Sequence, residues 1–184
     1  GDDSKIISVS KPLTTDGETS AENNPDNELS SSQVFDKSKY ELVLTQQQLD
    51  QWIAKIQAAT YYAVDTETTS IDYMQAELVG LSFSISKNDA CYIPVAHDYS
   101  GAPDQLGRDS VLAQLKPILE DTSAKKIGQH IKYDKNVLAN YGITLQGILS
   151  DTMLASYVLN SVATRHNMDS LSLKYLAHNT IHFE

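Results

Sequence analysis

Polar and apolar positions divide the chain into a stretch with no periodicity and a longer part with a clear one. From Ser8 to Gln33 the chain reads SVSKPLTTDGETSAENNPDNELSSSQ, with three larger aliphatics, no aromatics and two prolines. Such a stretch cannot bury enough apolar area to offset its ordering entropy, so residues 1–37 are expected to be a flexible acidic and polar linker. Periodicity begins near Tyr40. Tyr40–Leu44 has strand composition, and Thr45 is placed to cap a helix whose Leu49, Trp52, Ile53 and Ile56 share one face. Three apolar runs follow: YYAVDT from Tyr61, LVGLSFSI from Leu78 with Val79, Leu81, Phe83 and Ile85 alternating, and CYIPV from Cys91. Short connections between them predict an antiparallel meander.

The period then changes. Val111, Leu112, Leu115, Ile118 and Leu119 stand at helical spacing between Arg108 and Glu120, with Pro117 expected to kink that helix. Lys126-Ile127-Gly128 predicts a brief strand, Tyr133–Tyr141 a helix closed by Gly142, and Ile148-Leu149 a short strand. Asp151–Leu159 predicts a helix capped by Asp151, and Met168–Ala177 a last helix. Three hairpin-linked strands followed by strand and helix alternation predict an α/β fold, a mixed sheet with flanking helices, in an order that resembles the ribonuclease H-like arrangement.

Composition narrows the classes. No window approaches the run of about 18 apolar residues that spans a bilayer, and Gly1-Asp2-Asp3-Ser4 lacks a secretory pattern, so a cytoplasmic location is expected. A single cysteine, Cys91, excludes an internal disulfide and a cysteine zinc cage. The net charge of −10 disfavours a non-specific coat on nucleic acid, but eight acids against three lysines fall within residues 1–38, leaving the rest mildly acidic. Mild acidity suits an enzyme that reaches phosphodiesters through metal ions. No Gly-rich phosphate loop, Gly-x-Ser-x-Gly elbow or cysteine–histidine nucleophile pair is present.

Two segments carry candidate chemistry. In Asp65-Thr66-Glu67 the acids stand two apart on a strand and so share a face, where they can converge on a hard cation. Asp-x-Glu also occurs in the linker, as Asp16-Gly17-Glu18 and Asp26-Asn27-Glu28, so its context within an apolar strand distinguishes the pair. Buried carboxylates there require either an ion or a network of donors. In Gln129-His130-Ile131-Lys132-Tyr133-Asp134 a strand turns into a helix. Asp134 there either reaches a neighbouring strand or simply favours the helix dipole. His178 and His182 flank a β-branched pair and make a poor zinc site.

The strings VDTETTSID (64–72), LVGLSFSI (78–85), YIPVAHDY with APDQ (92–105), GQHIKYDKNVLANYGI (128–143) and DTMLASYVLNSVATRHNMDSL (151–171) resemble the 3′-to-5′ exonuclease domain of bacterial DNA polymerase I. The likeness spans residues 38–184. It implies hydrolysis of the 3′-terminal phosphodiester of frayed single-stranded DNA with two divalent ions, Mg²⁺ by preference and Mn²⁺ or Zn²⁺ as substitutes. Asp65 would bridge both ions, Glu67 would complete the first and Asp134 would hold the second. Ile71 and Phe183 would wedge terminal bases, Gln129, Tyr133, Met153 and Arg165 would line the strand, and Thr66 and His130 would also face DNA. The implied partners are the single-stranded 3′ end and the polymerase and 5′ nuclease domains of the same parent chain, with no membrane.

Two departures accompany the likeness. His130 stands where the family has asparagine. The family's third motif, a tyrosine four residues before a metal-binding aspartate, lies beyond Glu184, and the only Tyr-x-x-x-Asp here runs from Tyr61 to Asp65. The chain is therefore expected to be a piece of a longer protein, weakly active or inactive alone. A non-catalytic polymerase domain and a related exoribonuclease are the alternatives.

Overall fold

The computed structural model describes residues 37–162 and 165–180. The expected linker lies outside the described residues except for Lys37, which opens a single 3₁₀ turn (Lys37–Lys39). His182 and Phe183 also lie outside them.

A six-stranded sheet organises the chain. Strands β1 (Tyr40–Leu42), β2 (Tyr61–Thr68), β3 (Leu78–Ser86), β4 (Asp89–Pro94), β5 (Lys125–Gly128) and β6 (Ile148–Asp151) lie in the spatial order β1-β4-β3-β2-β5-β6. The expected meander is present, since β3 pairs antiparallel with both β2 and β4. β1 joins β4 in parallel, and β5 and β6 extend the sheet in parallel from β2, so β3 alone runs against the others. β1 is shorter than its composition suggests: the Gln48 side chain takes the Leu44 amide and turns the chain into α1 (Gln46–Ala58) through the Thr45 capping box.

Alternation along β2 separates two faces. Tyr62, Val64 and Thr66 point into the core, where the neighbouring strands add Leu81, Phe83 and Ile93. α1 contributes Leu49, Trp52 and Ile56, and α2 (Arg108–Leu119) contributes Val111, Leu115 and Leu119. Val79 and Ile85, expected on this face, are only half-buried. α2 continues through Pro117 to Leu119. The other face carries Ala63, Asp65 and Glu67 on β2 and their neighbours on β3 and β4.

α3 (Ile131–Ala139) starts two residues earlier than its sequence pattern suggests. Gly128 permits this, because a Cβ there would meet the Ile131 side chain at 2.8 Å. His130, in the left-handed region at φ 59°, turns the chain directly from β5 into the helix. α4 (Thr152–Leu159) and α5 (Met168–Leu176) complete the described chain, and only Ser156 of these two helices is buried. Among the described residues no helix is long and apolar enough to cross a membrane.

Candidate active site

β2, β5 and β6 run parallel and end at one edge of the sheet, the edge where ligands settle in α/β folds. Asp65 and Glu67 stand on the open face of β2 at that edge, Asp65 half-buried and Glu67 exposed. A register shift between Glu67 and Thr68 precedes the last pair with β3, Thr68↔Leu78, after which the chain enters the loop bearing Ile71.

Asp134 arrives from α3. β5 pairs with β2 only as far as Ala63, so the Thr66 amide points past the end of the ladder. Asp134 Oδ1 fills that gap, accepting from Thr66 N at 2.9 Å and from Thr66 Oγ1 at 2.6 Å. The carboxylate is 2% exposed. The side chain of Thr66, expected on the DNA side, is buried and donates to Asp134.

Asp65 senses both of the other acids. Burial, then Asp134, then Glu67 push the Asp65 carboxyl up to about 7. Burial also raises Asp134, against the stabilising donors of Thr66. Among the described residues no three His, Cys, Asp or Glu side chains are gathered closely enough to hold a metal ion. The site is thus an all-oxygen set without a closed ligand shell, with the electrostatic strain lying on Asp65. That chemistry fits a hard cation such as Mg²⁺, which keeps waters and takes only one or two protein carboxylates besides substrate phosphate.

The remaining sequence-derived residues surround this set. Ile71 is 97% exposed and so is not core. Tyr133 is half-buried, and its hydroxyl is engaged by Thr68 Oγ1 at 2.6 Å and by the Ser70 carbonyl, which pins the Ile71 loop. Gln129 donates to the His166 carbonyl at 2.9 Å and accepts from Thr152 Oγ1, so its amide is occupied at both ends. Met153 is half-buried on α4, while Arg165 and His130 are exposed. Small side chains, Ala63, Ser82, Ser84 and Ala90, floor a hollow beside Asp65 that Gln129 and Met168 wall.

His130 sits at the αL position that opens α3, a backbone conformation in which asparagine is favoured. The residue type the resemblance puts there thus suits the main chain, whatever its side chain contacts. The sequence pattern assigns Asp151 only the cap of its own helix, where it accepts from Met153 N and Leu154 N at 2.9 and 3.2 Å. It also accepts from His130 N and Ile131 N, both at 3.0 Å. One carboxylate thus ties the starts of α3 and α4. The parallel register Gly128↔Asp151 makes this possible, a pairing not visible in a linear reading.

Residues 40–184 match the family described as 3′-5′ exonuclease. The chain belongs to the 3′-5′ exonuclease family.

Relatives of this 3′-5′ exonuclease chain include DNA polymerase I of Pseudomonas aeruginosa, 57% identical over 147 residues, and that of Rhizobium leguminosarum, 42% identical over 169. These cover 79% and 82% of the chain, which spans 16% of each relative's length. Among solved structures, Escherichia coli RNase D, an exoribonuclease involved in structured RNA processing, aligns with TM-score 0.58 at 18% identity, over 77% of this chain and 34% of that one. Brucella melitensis NrnC with bound Mg²⁺ aligns with TM-score 0.56 at 21% identity, over 79% and 63%. Both likenesses show the shared ribonuclease H-like fold.

Proposed function

We propose that this chain is the 3′-5′ exonuclease domain of a DNA polymerase I and acts on the 3′ end of single-stranded DNA. The observation that carries the reading is the placement of Asp65 and Glu67 on the open face of β2 beside Asp134, which Thr66 holds by both of its donors. Bound divalent ions supply Lewis-acid activation of water and neutralise charge developing on the phosphate. Asp65 and Glu67 on the open face, with Asp134 from α3, are the residues that would hold such ions. Burial, ahead of the neighbouring acids, holds the Asp65 carboxyl at about 7, so a cation there would compete with a proton and bind more tightly as pH rises through that value. Ile71, presented by a loop that Tyr133 pins, stacks on a terminal base. The other domains of the parent chain and the single-stranded 3′ end are the proposed partners.

A deoxyribose substrate is favoured over ribose by the polymerase relatives, which are 57% and 42% identical, against 18% for the RNase D likeness. Retention of all three carboxylates opposes a purely structural domain. Two measurements test the reading. Mn²⁺ titration should broaden resonances around Asp65, Glu67 and Asp134, and Asp65→Ala should abolish the effect. A longer chain that includes a Tyr-x-x-x-Asp motif after residue 184 should shorten single-stranded DNA from its 3′ end in Mg²⁺. Failure of that longer chain to do so, when folded and metal-replete, overturns the proposal.

A further inference from the structure

The open face carries a second polar arrangement, on β3 and β4. Gly80 is the cross-strand partner of Glu67, and paired side chains on one face have Cβ atoms about 4.5–5.5 Å apart. Gly80 leaves that seat empty of its own side chain, and Tyr92 fills it. A Cβ built on Gly80 would lie 1.9 Å from Tyr92 Oη and 2.3 Å from its Cζ. Tyr92 itself pairs with Ser82, which faces Asp65, so its ring leans along the sheet from the Asp65 row to the Glu67 row. The hydroxyl therefore occupies the place from which a side chain would face Glu67.

That phenol is held. Its Oη lies 2.6 Å from His97 Nε2. Gln105 clamps His97 in turn, accepting from His97 N at 2.9 Å and donating to His97 O at 2.8 Å. Tyr99 packs edge-on against the imidazole, with ring centres 5.7 Å apart. Burial, and after it the charge of Glu67, push the Tyr92 hydroxyl up to about 12, so it keeps its proton at neutral pH. It has one hydrogen to give, and the His97 tautomer decides the recipient. With Nε2 protonated, His97 donates to Tyr92 and the phenol hydrogen is released toward Glu67.

We propose that Tyr92, seated over Gly80 and oriented by His97 Nε2–H, is a positioning residue that donates its hydroxyl hydrogen to the Glu67 carboxylate. The inference rests on Glu67 as a cation ligand. Donors to ligand carboxylates fix ligand orientation and raise metal affinity, and a phenol anchored on the far side by an imidazole suits that task.

Ring ¹⁵N shifts of His97 in the metal-free chain test the hydrogen-bond direction. Protonated Nε2 is expected. A bare Nε2 with protonated Nδ1 overturns the proposal, because Tyr92 must then give its hydrogen to His97. Mn²⁺ broadening at Glu67 tests the consequence. Tyr92→Phe and Gly80→Ala should each weaken Mn²⁺ binding about 10-fold while amide dispersion is retained. Gly80→Ala leaves the phenol in the molecule and displaces only the far end of the tyrosine side chain. His97→Gln added to Tyr92→Phe should cost nothing more, since both act through one bond. Mn²⁺ affinity within about twofold of the parent in both single variants overturns the proposal, since a merely structural role predicts lost stability with affinity kept. Absence of Mn²⁺ broadening in the parent chain would remove the metal-ligand reading instead, and the His97 tautomer would still decide the hydrogen-bond direction.

Discussion

α1 and α4 both lie next to the same sheet, yet they meet opposite fates. α1 buries Leu49, Trp52 and Ile56 in the core, and its polar face carries glutamines, Asp50 and Lys55. α4 reads TMLASYVL, apolar around most of its circumference, and leaves Leu154, Tyr157, Val158 and Leu159 exposed. A helix with a single apolar stripe is finished once that stripe is covered, whereas one apolar on every side presents surface whichever face it docks. The core half of the molecule is thus closed by its own sequence, and the half bearing α4, α5 and the open face of the sheet is not.

The widest separation between the halves is expected in stability. Trp52→Ala should cost about 3–5 kcal/mol in urea unfolding, and Leu159→Ala less than about 0.5 kcal/mol. Comparable losses would break the contrast. Asp151 joins the halves, so Asp151→Ala should cost about 2–3 kcal/mol by releasing the amides that begin α3 and α4. Hydrogen exchange should then speed up at Ile131 and Met153 before it does in β3.

A third expectation separates the faces by pH. The Asp65 carboxyl titrates near 3.9 when unfolded and near 7 when folded, so between these values the folded chain retains a proton that the unfolded chain has lost. Metal-free stability should therefore fall as pH rises from about 4 to about 7, by roughly 1–2 kcal/mol after allowance for the solvent contact of a half-buried group. Asp65→Asn should flatten this slope, and so should saturating Mg²⁺ with the parent chain. An unchanged slope in Asp65→Asn would place the titrating group elsewhere. The smallest effect is association: the exposed patch on α4 should give a concentration-dependent sedimentation coefficient that Leu159→Lys reduces.

Periodicity served the closed half well, because burial on one face leaves its mark at every second or third residue. The α1 stripe, the meander and the Thr45 cap are all present as the pattern indicates. The site was legible where it depends on spacing along one strand, as for Asp65 and Glu67. It was not legible where it depends on which strands become neighbours. Thr66 meets an acid 68 residues away because β5 stops short, and Asp151 reaches His130 because β6 lies beside β5. The left-handed turn at His130 likewise left no mark, since a single histidine occurs in many backbone conformations and does not by itself signal such a turn.

The sheet order also dictates a schedule of assembly. β2 and β3 are joined by residues 69–77 and β3 and β4 by residues 87–88, so this three-stranded unit consists of local pairings that can close as soon as Pro94 has left the ribosome. β1 and α1, synthesised earlier, must wait for β4 before the first strand finds its partner. β5, α3 and β6 then add outward from β2, and Asp134 docks on a strand completed long before it. During synthesis Asp65 and Glu67 therefore stand alone on β2, and the interaction between Asp65 and Asp134 begins only when α3 seats against it.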